Sequence, residues 1–212
     1  AEMRAAGLHG AVVPYSCVQE ALVIEGMDII GVRDISDLVT LLRSHDHFKT
    51  FPRESPVLQK NESSYSVDFN ELHGQAFGIR AALIAAAGRH NILLSGTAGS
   101  GKTMIARRIP TILPPLSKRE NIEITKVYSV AGLLPEGASL MNQRPFRAPH
   151  HTITTAALIG GSAQGGVIPG ELALAANGVL FLDELPLFSK SSIEALRQPM
   201  EDKKVVINRL QG

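Results

Sequence analysis

The first 45 residues alternate between short apolar runs and polar segments, a pattern typical of a small α/β piece. The predicted elements are strands over residues 11–13 and 27–32, a helix from a capping box at Ser16 through Ile24, and a helix from Ser36 to about Arg43. Because the pattern starts partway through a fold, we expect residues 1–45 to be the end of a larger domain.

Residues 46–66 have no such periodicity, and their prolines, serines and polar residues predict a linker. A second α/β unit is expected over residues 67–212. Helices are predicted over residues 75–87, 104–109, 121–130 and 191–200, and a last strand over residues 205–210. The first helix is expected to end at Gly88 and the second near Pro110. A capping box at Ser117 is expected to start the third.

One motif in the second unit fits G-x-x-x-x-G-K-[ST], the phosphate-binding P-loop. It consists of Gly96, Thr97, Ala98, Gly99, Ser100, Gly101, Lys102 and Thr103. An apolar run at residues 91–95 predicts a buried parallel strand before it, and a helix follows, which is the expected setting. The glycines let backbone N–H groups surround a phosphate, Lys102 brings a charge to it, and Thr103 offers a hydroxyl to Mg²⁺.

Two carboxylates follow another apolar run, at residues 178–182. In open α/β sheets ligands bind at the carboxyl ends of strands, where Asp183 and Glu184 are expected. Asp183 is predicted to hold Mg²⁺, and Glu184 to act with Lys102 in catalysis by orienting or deprotonating a water. The alternative is a strand with a solvated acidic turn. A water-activating glutamate, in a chain without an Asn-Lys-x-Asp guanine motif, indicates ATP hydrolysis.

Residues outside these motifs leave alternatives open. Arg144 and Arg147, with His150 and His151, form the densest basic patch, which is either a solvated face or a contact to nucleic acid or to ATP across a subunit boundary. A metal site at the histidines is disfavoured, because neighbouring residues on an extended segment point to opposite faces.

Arg107 and Arg108 are expected to form ion pairs on the surface of their helix. The glycines within residues 155–171 predict a hairpin with a mobile tip.

Composition limits the classes of partner and compartment. The chain has 212 residues and a net charge of +1, so no global basic field by itself indicates nucleic acid. Cys17 is the single cysteine, which excludes an intramolecular disulfide and is typical of a cytoplasmic protein. No apolar run approaches the length of a transmembrane helix, and we therefore expect no membrane partner.

Five sequence blocks together resemble the bacterial Mg-chelatase-like AAA+ ATPases, the ComM/YifB group. They are the P-loop, residues 144–152 with Phe-Arg-Ala-Pro-His-His, residues 169–171, the acidic run at residues 178–185, and residues 194–202 with Leu-Arg-Gln-Pro. The similarity covers nearly all of residues 67–212. Residues 1–45 are similar to the C-terminal end of the Lon-protease-like domain that precedes the ATPase in this family.

The resemblance implies an α/β P-loop NTPase fold of the AAA+ type, with a parallel sheet core and a helix-2 insertion. It implies ATP and Mg²⁺, self-association into a ring that is usually hexameric, and action on DNA, as in branch migration during natural transformation. The glycine-rich hairpin would face the central pore, and the segment that holds Phe69 and His73 would lie beside the adenine, where these side chains either stack on the base or pack within the fold. The family's sensor asparagine, arginine finger and helical lid are expected outside residues 1–212, which we expect to be a fragment.

Three functions follow from these observations. The leading prediction is an ATP-driven ring motor that translocates on DNA. The alternative is a chelatase- or chaperone-type AAA+ protein that remodels a protein partner, and the third is a nucleotide-binding scaffold without turnover. Stimulation of ATP hydrolysis by DNA separates the first two, and the substitution Glu184→Gln separates both from the third.

Overall fold

Two parallel strands with a helix between them make up the centre of the first of two units into which the chain divides. The computed structural model describes residues 6–22, 26–43, 65–135, 140–163 and 166–202. The units are Ala1–Asn61 with Leu134–Met141, and Glu62–Leu133 with Asn142–Gly212. The predicted linker lies almost entirely outside the described residues, and the strand predicted at residues 205–210 lies wholly outside them.

The first unit forms around a small apolar core. Its elements are β1 (Gly10–Pro14), a 3-10 turn (Tyr15–Cys17), α1 (Val18–Ala21), β2 (Asp28–Val32) and α2 (Ile35–Arg43). The strands pair in parallel with Ala11 beside Ile29. Met27 and Ile29 are alternate residues that face the same side of the sheet, and both are buried together with Val18 of α1. Both predicted strands are therefore present.

The two helix caps predicted in this unit are wrong. The turn that leads into α1 begins after Pro14, without a side-chain cap, and Ser16 lies inside that turn. At α2 the carboxylate of Asp34 accepts a hydrogen bond from the backbone N–H of Asp37 at 2.9 Å, so Asp34 and not Ser36 caps the helix. Aspartate and serine cap about equally well, so the path of the chain into the helix decides between them.

The second unit is built mainly from helices. They are α3 (Ala76–Gly88), α4 (Lys102–Ile112), α5 (Lys118–Val130), α6 (Thr155–Ile159), α7 (Glu171–Leu174) and α8 (Lys190–Asp202). Ala82 of α3 packs against Ile105 and Ile109 of α4, together with Phe69 from a 3-10 turn. This burial of apolar surface fixes α4 beneath the P-loop. None of the described helices is long and apolar enough to cross a membrane.

The observed ends of these helices can be compared with the capping and stop signals predicted from the sequence. The capping box at Ser117 is confirmed, because its hydroxyl accepts from the backbone N–H of Glu120 and the Glu120 carboxylate accepts from the backbone N–H of Ser117. Gly88 is the last residue of α3, and the left-handed cap is Arg89, with φ 53°. Pro110 does not end α4, which continues two residues further. A proline this close to the C-terminus of a helix removes one backbone hydrogen bond and leaves the rest of the helix intact.

Strand pairing in the described part of the second unit is limited to two pairs. The strands are β3 (Phe146–Arg147), β4 (Gly160–Ala163), β5 (Gly166–Pro169) and β6 (Val179–Leu180). β3 and β6 run parallel, whereas β4 and β5 form an antiparallel hairpin. The predicted hairpin is therefore present, although the apolar residues 157–159 before it belong to α6. Gly178 precedes β6 where a side chain would collide with the Pro145 carbonyl.

The strand predicted at residues 91–95 is not a strand in the structure. Ile92 and Leu94 pack against the core, while Leu93 between them is 78% exposed. This alternation has the period of an extended chain, but no described strand pairs with the segment. The prediction of burial on both faces is wrong at Leu93.

Arg144 joins the strand pair to α5. Its side chain is 6% exposed, and its guanidinium donates to the carbonyls of Pro114, at 2.7 Å, and Asn177. It also lies 3.4 Å from the carboxylate of Glu120. The hydrogen bond from the backbone N–H of Ser117, with a smaller contribution from Arg144, lowers the pKa of Glu120 to about 2. Glu120 therefore carries a full charge opposite Arg144 at neutral pH.

We expect Arg144→Ala to lower the free energy of unfolding by about 2–4 kcal/mol, because it removes the hydrogen bonds of the guanidinium to the carbonyls of Pro114 and Asn177. Glu120 keeps a second partner, Arg89, at 3.0 Å. Urea unfolding at neutral pH measures this loss.

The control is Arg119→Ala, which removes an arginine that is 89% exposed and paired with Glu123 on the same helix. That change is expected to cost less than about 1 kcal/mol. Equal losses for the two variants would contradict the assigned role.

Candidate functional site

The P-loop turns sharply before it enters α4. Gly99 and Gly101 have φ angles of 76° and 84°, which glycine adopts without the steric cost that other residues meet there. The backbone N–H of Ser100 donates to the carbonyl of Thr97 at 3.3 Å and closes the turn. Gly101 is the N-cap of α4, so the free N–H groups of the first helical turn lie beside the loop.

Lys102 lies across this loop. Its Nζ donates to the carbonyls of Gly96, at 2.9 Å, and Thr97, at 2.7 Å, and it lies 3.4 Å from the hydroxyl of Ser100. All three acceptors are neutral, so the loop retains the positive charge of the ammonium group. A flexible point charge of this kind is suited to meeting a phosphate.

The two predicted metal-side residues meet in the structure. The Thr103 hydroxyl, on the first turn of α4, donates to Oδ2 of Asp183 at 3.1 Å. The other carboxylate oxygen of Asp183 accepts from the backbone N–H of Glu184 at 3.0 Å, which fixes the orientation of the group. Hydroxyl and carboxylate oxygens are the hard ligands that Mg²⁺ takes in proteins, so this pair fits the ion.

Glu184 follows in an unusual backbone conformation. Its φ and ψ are 52° and 47°, in the left-handed region that few residues other than glycine and asparagine occupy. Its carbonyl accepts from the N–H of Leu187 at 2.8 Å, which closes the 3-10 turn at Leu185–Leu187. The side chain is 66% exposed, and its Oε2 lies 4.0 Å from Nδ1 of His151. The turn therefore aims the carboxylate out of the fold.

The two histidines lie on the same side of the chain, contrary to the prediction. The ring centroids of His150 and His151 are 4.0 Å apart, because the segment bends instead of staying extended. Nδ1 of His150 lies 2.9 Å from the hydroxyl of Thr152. The described residues contain no cluster of three or more groups that would hold a metal. The expectation against a metal site rested on a wrong geometry, and His151 instead lies beside Glu184.

A small depression adjoins the P-loop on the side of α3. It is lined by Leu72, His73, Gln75, Ile79, Met104 and Ile105. Phe69 is only 7% exposed and belongs to the core, whereas the exposed His73 lies at the depression. Of the two residues predicted beside the base, His73 is therefore the one in a position to contact a ligand.

The basic residues outside the P-loop are largely engaged within the fold. Arg144 is buried, and Arg147 binds both carboxylate oxygens of Glu171 at 2.6 Å. The hydrogen bonds to Glu171 raise the pKa of Arg147. Arg108 pairs with Glu71, as expected for this helix surface. The predicted basic patch is thus broken up by internal contacts, which the spacing of residues did not reveal.

Sequence reasoning missed the contact between His151 and Glu184. His151 lies four residues after the last residue of β3, and Glu184 lies four residues after the last residue of β6. Because these strands are parallel neighbours in register, equal distances along the chain bring both residues to the same edge. The signal was present in the sequence, but it required the strand boundaries and the pairing.

Several known proteins are similar in sequence to the chain over most of its length. Relatives include an uncharacterized Mycobacterium tuberculosis protein, Rv2897c, which is 40% identical over 97% of the chain. The competence protein ComM of Haemophilus influenzae is 38% identical over 90% of the chain, and the uncharacterized protein YifB of Escherichia coli is 38% identical over 96%. The chain spans 40%, 37% and 42% of the lengths of these three relatives.

The family described as magnesium chelatase, subunit ChlI, matches residues 68–212. This match covers the P-loop, the acidic turn, the hairpin and α8, and it implies an AAA+ P-loop fold, in agreement with the mixed α/β structure and its parallel strands. AAA+ proteins of this kind generally bind ATP with Mg²⁺ and assemble into rings. The chain belongs to the Mg-chelatase-like family of AAA+ proteins, the family of ComM and YifB.

Proposed function

We propose that residues 67–212 form the ATP-binding and ATP-hydrolysing core of an AAA+ motor. The observation that carries this proposal is the contact of 3.1 Å between Thr103 and Asp183, which joins the P-loop helix to the acidic turn. Thr103 and Asp183 are 80 residues apart in the sequence. Their contact therefore supports a single site that is built from both motifs, and not two unrelated features. Family membership supports the same function.

In this proposal the P-loop residues 96–103 bind the phosphates of ATP. Lys102 exchanges its carbonyl contacts for the β- and γ-phosphates, and the first turn of α4 adds its free N–H groups. Thr103 and Asp183 would hold Mg²⁺, which supplies neutralisation of the charge that develops on the transferred phosphoryl group. The depression beside His73 is the proposed place for the base.

Glu184 is the proposed catalytic carboxylate. It orients a water molecule and accepts its proton as the water oxygen bonds to the γ-phosphorus and the bond to the β–γ bridging oxygen breaks. The products are ADP and inorganic phosphate, and the proton passes from Glu184 to solvent. The exposed position of the side chain leaves space for the water.

Replacing Lys102 by alanine tests nucleotide binding. We expect the dissociation constant for ATP with Mg²⁺ to rise by about ten- to a hundredfold, because a charge-assisted contact to phosphate is lost. Isothermal titration calorimetry measures the affinity. Lys126→Ala, which removes an exposed lysine from α5, is the matched control and should leave the affinity unchanged. Equal affinity of wild type and Lys102→Ala would contradict the proposed phosphate contact.

Glu184→Gln separates a turnover enzyme from a nucleotide-binding scaffold. The amide keeps the size of the side chain but cannot accept the proton, so we expect turnover to fall by about 100-fold or more while ATP still binds. Phosphate release and calorimetry on the full-length protein measure both properties. Glu194→Gln, at a carboxylate of α8 that is 67% exposed, is the control. A variant that hydrolyses ATP at the wild-type rate would remove Glu184 from catalysis.

We further propose that the motor acts on DNA, as a hexameric ring in the cytoplasm that drives branch migration in recombination and natural transformation. The sequence resemblance supports this proposal, together with the helix-2 insertion and the Lon-like remnant that it implies. The hairpin of β4 and β5 is the proposed insertion, because Val167 and Ile168 are exposed at 45% and 57%. Arg144 and Arg147 are engaged internally, so the DNA contact is assigned to the hairpin.

Stimulation of ATP hydrolysis by DNA tests this proposal. We expect branched or single-stranded DNA to raise the rate of the full-length protein, and Ile168→Ser to reduce that stimulation without changing the basal rate. Val130→Ser, at another exposed apolar residue, is the matched control. An unchanged rate with both kinds of DNA would exclude a DNA motor. Stimulation by a protein partner instead would support the alternative, an AAA+ protein that remodels proteins.

A further inference from the structure

Side chains of α4 hold the 3-10 turn that begins at Phe69. The Nε of Arg108 donates to the backbone carbonyl of Asp68 at 3.0 Å, and its Nη2 donates to the carboxylate of Glu71 at 2.5 Å. The hydroxyl of Thr111, on the next turn of α4, accepts a hydrogen bond from the backbone N–H of Phe69 at 3.2 Å. The 3-10 turn is therefore attached to α4 near both of its ends.

Arg108 is suited to this contact because its guanidinium reaches several acceptors at once. Its Nη1 donates to the backbone carbonyl of Met104, one turn earlier in α4, at 3.2 Å. The side chain of Arg108 is only 13% exposed, although that of Glu71 is 51% exposed. A planar group with donors in fixed directions determines where its partners lie. Isolated exposed ion pairs stabilise little, whereas this pair belongs to a network that joins two separate segments of the chain.

The depression beside the P-loop lies between the two segments that Arg108 joins. Its lining residues come from the chain just after the 3-10 turn and from the start of α4; they include Leu72, His73, Gln75, Gly101, Met104 and Ile105. Neither Arg108 nor Glu71 lines the depression. Leu72 follows Glu71 directly in the sequence, and Arg108 is bonded to the carbonyl of Met104. The contact between Arg108 and Glu71 therefore lies outside the depression and determines how far apart its two walls stand.

We propose that Arg108 acts, through Glu71, as a positioning residue for the base of a bound nucleotide. It holds the segment with His73 at a fixed distance from α4, so that the depression has its width before a ligand arrives. This inference rests on the proposed function, which assigns the base to this depression and the phosphates to Lys102 and the P-loop. A site that is already ordered loses less conformational entropy on binding, and its affinity is higher for that reason.

Two ligands of the full-length protein distinguish the base from the phosphates: ATP, and inorganic tripolyphosphate, which has no base or ribose. For Arg108→Ala we expect the dissociation constant of ATP with Mg²⁺ to rise about three- to tenfold, while that of tripolyphosphate with Mg²⁺ keeps its wild-type value. Isothermal titration calorimetry measures both constants. An equal loss for both ligands would overturn the inference, because Arg108 would then support the whole P-loop helix. No loss for either ligand would overturn it too.

Glu71→Gln is a milder variant, because Glu71 is half exposed and its replacement leaves Arg108 in place. We expect a smaller loss of affinity for ATP and an unchanged affinity for tripolyphosphate. In the Arg108→Ala background, Glu71→Gln should add no further loss, since the two residues act through one contact. Additive losses would contradict the inference. Arg119→Ala, which removes an arginine paired with a glutamate on α5, is the matched control and should change neither affinity.

Steady-state kinetics separate positioning of the base from a general structural role. For Glu71→Gln we expect the KM for ATP to rise and kcat to stay unchanged, because the base is bound equally in the ground state and the transition state. A matching fall in kcat would overturn the inference. If the wild-type protein binds ATP and tripolyphosphate with equal affinity, the inference fails and the proposed phosphate site stands. If it binds neither ligand, the proposed function fails and the inference fails with it.

Discussion

Two backbone hydrogen bonds between β3 and β6 determine where the candidate site forms. The N–H of Val179 donates to the carbonyl of Pro145 at 2.9 Å, and the N–H of Phe181 donates to the carbonyl of Arg147 at 2.8 Å. These bonds set the register of a parallel pair, and parallel strands end at the same edge. Because of that register, the turn after β3 and the acidic turn after β6 emerge side by side, and the acidic turn meets the P-loop helix where Asp183 contacts Thr103.

The charged residues around this pair divide into two kinds. Arg144 and Arg147 have carboxylate or carbonyl partners at short distances, and they stabilise the strand pair from within the fold. Lys102 contacts only neutral acceptors in the loop, and the carboxylate of Glu184 extends toward solvent. Structural charges are thus neutralised locally, whereas the charges assigned to chemistry are not.

The sequence predicted the parts of this site that depend on local chemistry. The glycines of the P-loop, the capping box at Ser117 and the acids after an apolar run are each recognised from a few neighbouring residues, and the structure has them in the expected conformations or places. Predictions that depend on partners far along the chain were less accurate. The segment at residues 91–95 lacks a paired strand, and Arg144 is buried by carbonyls 30 or more residues away.

The position of His150 and His151 was also not predictable from neighbouring residues alone. An extended segment would have placed the two rings on opposite faces, but bonds within the turn bent it. The turn is local, yet its consequence, the approach of His151 to Glu184, depends on the register of two strands that are more than 30 residues apart. The register of β3 and β6 cannot be predicted from the spacing of residues alone.

The left-handed conformation of Glu184 has a consequence for how this position tolerates change. Glycine or asparagine would relieve a backbone cost on the order of 1 kcal/mol or more, so selection for stability alone would favour either of them. Only a carboxylate suits the proposed chemistry. Stability and activity therefore exert opposite pressures on one residue, and variants selected for resistance to heat are expected to lose the glutamate before they lose the turn.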